Sequence, residues 1–490
     1  MTPHSDNAEN STPALDNAFD PVKRDEWLAS VNRSLPDETT FEQISQKTLD
    51  GFAIQVLYDA CQSTEPVQSS TTEAVWDNRL SLQSIEDPTD ANLQVLRGLN
   101  GGIVSVEVHT DLPDQLSTVL QGVDLRLAPI SVRAGQAYAT AATQLRDMSE
   151  SLGVHAQDCM FSLNADPFGT ALVNGGLDTS LPDALLAMAE FSRIAESDYP
   201  EFNVVLVDAA LHHNAGASPV EELHAAIATA ALYLEAMLQA GINPGTAKNQ
   251  ISFQLAMDSD VLLGTAKLRA LRRLWQHVST LMSKDQAAFG PISITAETSK
   301  RQASRLDPWN NHLRNVAACA SAAMAGAQSI IVHPHMHAES EADRELAERV
   351  ARNLPIILQR EAGLLHVSDP FAGSYALETL TETLVLKAWE CLQSMDTAEN
   401  WLDELQQGRW QARLTDTHKR RSELIEQGQQ VMVGVNRYLS PDAQHDLQLA
   451  GAEPVKSSLK TPAHRIPALR AVRDAQPFEH KTENAAEGSA

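Results

Sequence analysis

Eight short apolar or alternating runs, at 103–108, 123–128, 160–164, 203–208, 251–256, 292–295, 329–332 and 364–367, recur along the chain with helix-length segments between them. A strand followed by a helix, repeated, implies parallel strands joined by crossover helices. Eight such units predict a closed (β/α)8 TIM barrel of the α/β class, which takes about 250 residues. The intervening segments carry their own start signals. Ser218, Pro219 and Glu221 form a capping box, and Val220, Leu223, Ile227, Ala230, Leu234 and Met237 then recur at spacings of three and four, a single buried stripe. Asp307 before Pro308 predicts another helix start, because Asp accepts from open amides and Pro loses no hydrogen bond there.

The strand candidates alternate bulky residues with small polar ones: Ser105 and Glu107, Ser162 and Asn164, Ser252 and Gln254, Ser293 and Thr295. A polar set facing inward would replace the Val, Ile and Leu layers that usually fill a barrel; facing outward, it would meet helices or sit in hydrogen-bonded layers. His333, His335 and His337 alternate after a strand and invite a metal reading, but no carboxylate-rich ligand set accompanies them, so no metal is expected. Gly98, Gly101 and Gly102 read as a tight turn into a strand, since no strand precedes them as a phosphate loop requires.

The chain of 490 residues divides by composition into a disordered tail (1–24), an N-terminal extension (25–100), the barrel (101–393), a helical segment (394–440) and a linker or disordered tail (441–490). A formal net charge of −27 argues against nucleic acid or an anionic membrane as partner. Four scattered cysteines suggest neither a disulfide framework nor a zinc cluster, and no apolar run is long enough to span a bilayer. A cytoplasmic protein is expected.

Several words carry a resemblance: 309–314 (Trp-Asn-Asn-His-Leu-Arg), 349–353 (Arg-Val-Ala-Arg-Asn), Asp369-Pro370 with Gly373-Ser374-Tyr375, Glu378 through Thr381, Lys387-Ala388-Trp389, and the closing 433–438. Their order resembles the barrel of the methylmalonyl-CoA mutase family, from about Leu49 to Tyr438. The resemblance implies an adenosylcobalamin-dependent isomerase, and a Ser- and Thr-lined axis admitting the pantetheine arm of coenzyme A.

The chain departs from the family's catalytic pattern where chemistry would sit. Catalytic barrels carry a Tyr-His pair before an Ala-Gly-Ala turn; here Ala210 and Leu211 occupy those places ahead of Ala215-Gly216-Ala217, with His212 and His213 displaced by one and two positions. The family's Gln-bearing strand end with its following Arg is replaced by Asn164 to Gly169 without an Arg. Its cobalamin-ligating Asp-x-His-x-x-Gly motif is approached only by Asp416-Thr417-His418, which Lys419, Arg420 and Arg421 follow inside a predicted helix. The resemblance therefore points to the small, non-catalytic subunit, without a flavodoxin-like cobalamin-binding domain. It implies no catalytic, cofactor or metal residue on this chain, a heterodimer with a large catalytic subunit, adenosylcobalamin and acyl-CoA held mainly by that partner, and an N-terminal extension that wraps it. Three alternatives stay open: an acyl-CoA mutase barrel using cobalamin from a separate subunit, a non-enzymatic binding protein, and a metal-dependent barrel hydrolase.

Overall fold

The computed structural model describes residues 22–36, 39–59, 75–83, 85–200, 202–283, 292–338, 340–364, 366–394, 398–450 and 462–487. Two compact units divide the chain after Tyr58. The first contains a helix at Arg24–Ser34, a one-turn helix at Phe41–Ile44 with a reciprocal Thr40/Gln43 capping box, and a small antiparallel pair of Gln46–Lys47 with Ala53–Ile54. Trp27 meets Phe41 edge-on at 5.5 Å, which gives this unit an aromatic contact of its own.

The second unit is the expected barrel. Its strands are β1 (Asp77–Leu82), β2 (Ser105–His109), β3 (Ile130–Arg133), β4 (Phe161–Ala165), β5 (Phe202–Asp208), β6 (Ile251–Met257), β7 (Ile294–Thr298) and β8 (Ser329–Ile331). They pair in parallel in chain order, and β8 closes on β1 through Ser329↔Asp77 and Ile330↔Asn78. The main surrounding helices are α1 (Pro88–Asn100), α2 (Tyr138–Ser151), α3 (Leu181–Asp198), the short α4 (Ala210–Asn214), α5 (Pro219–Gln239), α6 (Val261–Ser283), α7 (Trp309–Met324), α8 (Glu341–Arg360) and α9 (Tyr375–Gln393). The predicted Ser218/Glu221 capping box forms. The core stripe of α5 is buried, and α6 packs between α5, α7 and α9.

Two strand expectations are corrected. Residues 123–128 form a turn, where the Arg126 guanidinium pairs with Asp124 2.8 Å away, and the strand is Ile130–Arg133 immediately after it. Of the run expected at 364–367, the described residues Leu364, His366 and Val367 lie in no strand, and residue 365 lies outside the described residues: Gly363 turns with φ +72, and the Leu364 amide donates back to Leu358 at the end of α8. The missing strand is β1, inside the span assigned to the N-terminal extension, so the barrel begins at Asp77 and not at 101. Its inward positions are Asp77, Arg79 and Ser81, and that polarity hid it. Asp307 does not cap α7 as expected: Pro308 stands at the N-cap, Asp307 has φ +46, and its carboxylate accepts from the Asn310 side chain at 2.6 Å.

Helical residues after the barrel form α10 (Ala398–Gln406) and α11 (Arg409–Glu426), separated at Gly408, which adopts φ +73. The expectation of a linker or disordered tail at 441–490 is corrected for the described residues 441–450 and 462–487, while 451–461 and 488–490 lie outside the described residues. Helices occupy Ala443–Leu449 and Gln476–Glu487, and His464–Arg465 pairs antiparallel with Gly176–Leu177. From there the chain runs along segments that follow β4, β5 and β7. Amides of Ile466, Leu469, Val472 and Asp474 donate to the carbonyls of Gly175, Leu172, Asn214 and Arg301 at 2.8–3.1 Å. Backbone donors that would otherwise need solvent are satisfied, so this stretch is an ordered strap. The described residues beyond the barrel are otherwise helices, turns and extended chain.

Candidate functional site

Charged and polar side chains fill the barrel axis in two layers, each centred on an arginine. At the strand starts, Arg79 Nη2 lies 3.0 Å from Asp77, its Nε donates 2.8 Å to Ser105, and Ser329 donates 3.1 Å to Asp77. Arg79 also reaches Thr295 of β7 at 3.4 Å. Ser105 and Thr295 of the polar alternation thus face inward, whereas Ser293 is exposed and Ser252 turns aside to donate to the Val205 carbonyl at 2.9 Å.

The second layer sits at the carboxyl ends of the strands, where barrel enzymes place their chemistry. Each strand or the loop after it contributes at least one residue. Ser81 donates 3.1 Å to Glu107, and Arg133 Nε lies 3.1 Å from the same carboxylate. Asn164 donates to Glu107 at 3.2 Å; it stands at a register irregularity in β4 with φ +45, and this local backbone aims it at the axis. Arg133 continues to Asp208 and Gln254, Gln254 donates 3.2 Å to Glu297, and Glu297 meets His333 Nε2 at 3.0 Å. Lys300, from the loop after β7, bonds Gln83, which in turn donates to Ser81 at 3.4 Å.

Charge compensation sets the protonation of this belt. Burial alone would raise the Glu107 carboxyl, yet the Arg133 and His109 charges outweigh it and hold it well below the usual range. Glu297 behaves likewise and drops to about 2, mainly because His333 bonds it and neutralises part of the burial cost. Asp208 goes the other way: burial raises it to about 6, since Arg133 offsets only part of the penalty and Glu297 and Asp166 add repulsion. His109 is lowered by burial despite its 2.8 Å contact with Glu107. The belt therefore favours the ionised carboxylates of Glu107 and Glu297, each already contacted by its neighbours. Where the resemblance implies an axis that admits a thin pantetheine arm between small hydroxyls, this axis is crossed by guanidinium–carboxylate contacts.

The loop after β5 explains the displaced histidines. On α4, Leu211 is half-exposed, and Asn214, three residues on, donates 3.1 Å to Glu297 and belongs to the belt. The two histidines turn away from it. His212 Nδ1 accepts from the Trp410 indole at 3.0 Å within a cluster of His224, Trp401 and Trp410, and burial lowers its pKa to about 4. His213 points to Ser299, with Nε2 2.7 Å from the hydroxyl. Neither occupies the role of a histidine at position 211.

The other flagged residues resolve into structure. Asp416-Thr417-His418 lies within α11: Thr417 donates 3.0 Å to Glu221, and His418 stands 3.7 Å from Asp474. The helix packs so closely on the Ala215-Gly216-Ala217 turn that a Cβ on Gly216 would lie 2.7 Å from the His418 Cβ. Alternation does not put His333, His335 and His337 on one side, because the chain leaves extended geometry after β8. His333 enters the belt, His335 is buried with its ring 4.8 Å from Trp309, and His337 is exposed. Among the described residues, no group of three His, Cys, Asp or Glu is placed to hold a metal ion, and no helix is long and apolar enough to cross a membrane. Gly101 and Gly102 turn α1 into β2 and lie against Arg352 and Ile356 of α8, as a tight turn requires. The words at 369–378 are also structural: Asp369 and Glu378 both pair with Arg269 of α6, Glu378 at 2.6 Å, fastening the start of α9 to the barrel helices.

The structure is thus a closed parallel (β/α)8 barrel with a polar axis. The profile of methylmalonyl-CoA mutase matches residues 90–488, and the chain belongs to that family. It is 34% identical over 376 residues to the methylmalonyl-CoA mutase small subunit of Streptomyces virginiae, covering 76% of this chain and 60% of that protein. It is 31% identical over 421 residues to the small subunit of Propionibacterium freudenreichii subsp. shermanii, covering 80% and 65%. With the methylmalonyl-CoA mutase of Cereibacter sphaeroides it shares 27% identity over 341 residues, 69% of this chain and 48% of that protein. The chain spans less than two thirds of the length of each of these three relatives.

Proposed function

We propose that the chain is the small subunit of an adenosylcobalamin-dependent methylmalonyl-CoA mutase, the enzyme of propionate metabolism that interconverts methylmalonyl-CoA and succinyl-CoA. In this reading it is a cytoplasmic structural partner of a large catalytic subunit. That subunit holds the cobalamin, whose radical chemistry the reaction uses, and most of the acyl-CoA. The N-terminal unit serves the interface.

The observation that carries the proposal is the Glu107–Arg133–Asp208 bridge. The mutase resemblance implies a catalytic axis that admits the pantetheine arm, whereas here two ionic layers cross it and Leu211 provides no hydrogen bond to a thioester carbonyl. The names of the relatives at 34% and 31% identity support the subunit role.

Co-expression with a large mutase chain tests this directly, and a one-to-one complex carrying cobalamin is the expected product. Obligate interfaces commonly bury about 2,000–5,000 Å², so removal of residues 1–60 should weaken the complex. A stable monomer that ignores the large subunit at micromolar concentration would refute the heterodimer. Spectral titration of the isolated chain with adenosylcobalamin should show no saturable shift; one at micromolar concentration would refute the assignment of the cofactor to the partner.

A further inference from the structure

We propose that Ser299, His213 and Glu222 form an acyl-transfer site that accepts activated acyl groups, thioesters in particular. The inference does not depend on the subunit role above, because none of the three belongs to the mutase reading. They come from three separate parts of the barrel mouth. Ser299 follows β7 directly, His213 is on α4, and Glu222 is in the first turns of α5.

The geometry is that of nucleophile, base and orienting carboxylate. The Ser299 hydroxyl lies 2.7 Å from His213 Nε2, and the other ring nitrogen, Nδ1, faces Glu222 Oε2 at 3.5 Å. Glu222 is immobilised on both oxygens: Oε2 takes the Lys267 ammonium at 2.5 Å, and Oε1 accepts the Ala256 amide at 2.9 Å. His213 and Glu222 are buried, while Ser299 is half-exposed, so the hydroxyl is the member a ligand reaches first. The Gln302 amide also donates to Ser299 Oγ at 3.3 Å and fixes the position of the hydroxyl beside His213.

The environment also selects the substrate class. Burial, reinforced by Arg301 and Lys267, holds the His213 imidazole well below its ordinary pKa, so it is neutral and free to accept a proton, but it is a weak base. A weak base suits acyl groups with good leaving groups, such as thiolates or aryloxides, rather than amides. In the first half-reaction the Ser299 oxygen bonds to the carbonyl carbon, and its proton passes to His213 Nε2. The carbon–sulfur bond breaks, and the departing sulfur takes that proton to leave as a thiol. In the second, water gives a proton to His213 and its oxygen to the carbonyl carbon; the ester bond breaks, and Ser299 recovers its proton. The sum is thioester plus water to carboxylic acid plus thiol.

The test uses the full chain with a fluorophosphonate probe, p-nitrophenyl acetate and S-acetyl-N-acetylcysteamine. Expected are a probe adduct mapped by mass spectrometry to Ser299, and slow release of nitrophenolate and thiol that Ser299→Ala abolishes. His213→Gln keeps a hydrogen-bonding partner for the hydroxyl, so it preserves packing while removing the base. Labelling and hydrolysis should fall by about 10²–10⁴-fold in it. No adduct on Ser299 in the folded chain, or labelling unchanged in His213→Gln, overturns the proposal.

Discussion

Arg133 and Glu107 stand on adjacent strands, with guanidinium Nε and carboxylate oxygen 3.1 Å apart, and the far end of the same guanidinium reaches Asp208 and Gln254, two and three strands away on β5 and β6. One side chain thus links strands β2, β5 and β6 across the barrel interior. Arg133 is 14% exposed and Glu107 1%, so these charges have little water to fall back on.

Removing one member should be costly. Arg133→Met leaves Glu107 and Asp208 buried without their main counter-charge, and breaking a buried pair from one side typically costs about 3–5 kcal/mol. Urea denaturation should show a loss of this size, with partial recovery in the Arg133→Met/Glu107→Gln double variant. A loss below about 1 kcal/mol would mean that the belt contributes little to folding.

Asp208 should imprint a pH dependence. Its carboxyl is raised to about 6 in the folded chain against an ordinary value near 3.8. The folded state therefore holds this proton longer than the unfolded one. Its contribution is most favourable at low pH and is lost as pH rises from about 4 through 6, a change of at most about 3 kcal/mol. Glu297, lowered to about 2, has the opposite sign: its contribution is present above the ordinary carboxylate range and disappears as pH falls toward 2. Asp208→Asn should flatten the melting temperature between pH 4 and 6.5 relative to the natural chain; an unchanged slope would rule out Asp208 as the titrating group.

Gly216 has φ +112 and room for no side chain beneath α11, where a Cβ would lie 2.7 Å from the His418 Cβ and 3.0 Å from the Leu414 carbonyl. Gly216→Ala should destabilise by about 2–4 kcal/mol, from backbone strain and displacement together. Limited proteolysis should then cut first near α11. Unchanged stability and cleavage pattern would show that the helix shifts without penalty.

Leu211→His should not create mutase activity, even with a cobalamin domain supplied in trans. The axis would still be bridged and the strand-end Gln and Arg still absent, and groups acting as a unit do not contribute additively. Turnover above background would show a pocket otherwise intact.

Much of the barrel was legible because apolar strands and capped helices announce themselves locally. Six strands fall where the runs predict, and the 369–378 turn falls where Asp-Pro and Gly-Ser suggest. Strands β1 and β3 escaped for the reason that makes the axis unusual: Asp77 and Arg79 lower the apolar content of one, and Ser131 and Arg133 shorten the other. Their period-two alternation was the available signal. The partners of Arg133 are 75 and 121 residues away, and nothing local couples them. The same holds for His213, whose bond to Ser299 spans 86 residues.

Loops at a barrel mouth ordinarily move one by one, each free to remodel its share of the rim. The strap from Ile466 to Asp474 removes that independence. A single stretch of backbone is hydrogen-bonded in turn to Gly175, Leu172, Asn214 and Arg301, so displacing one rim segment strains the bonds that hold the next. The rim thus behaves as one laced edge, and any rearrangement at the mouth is cooperative over three crossovers.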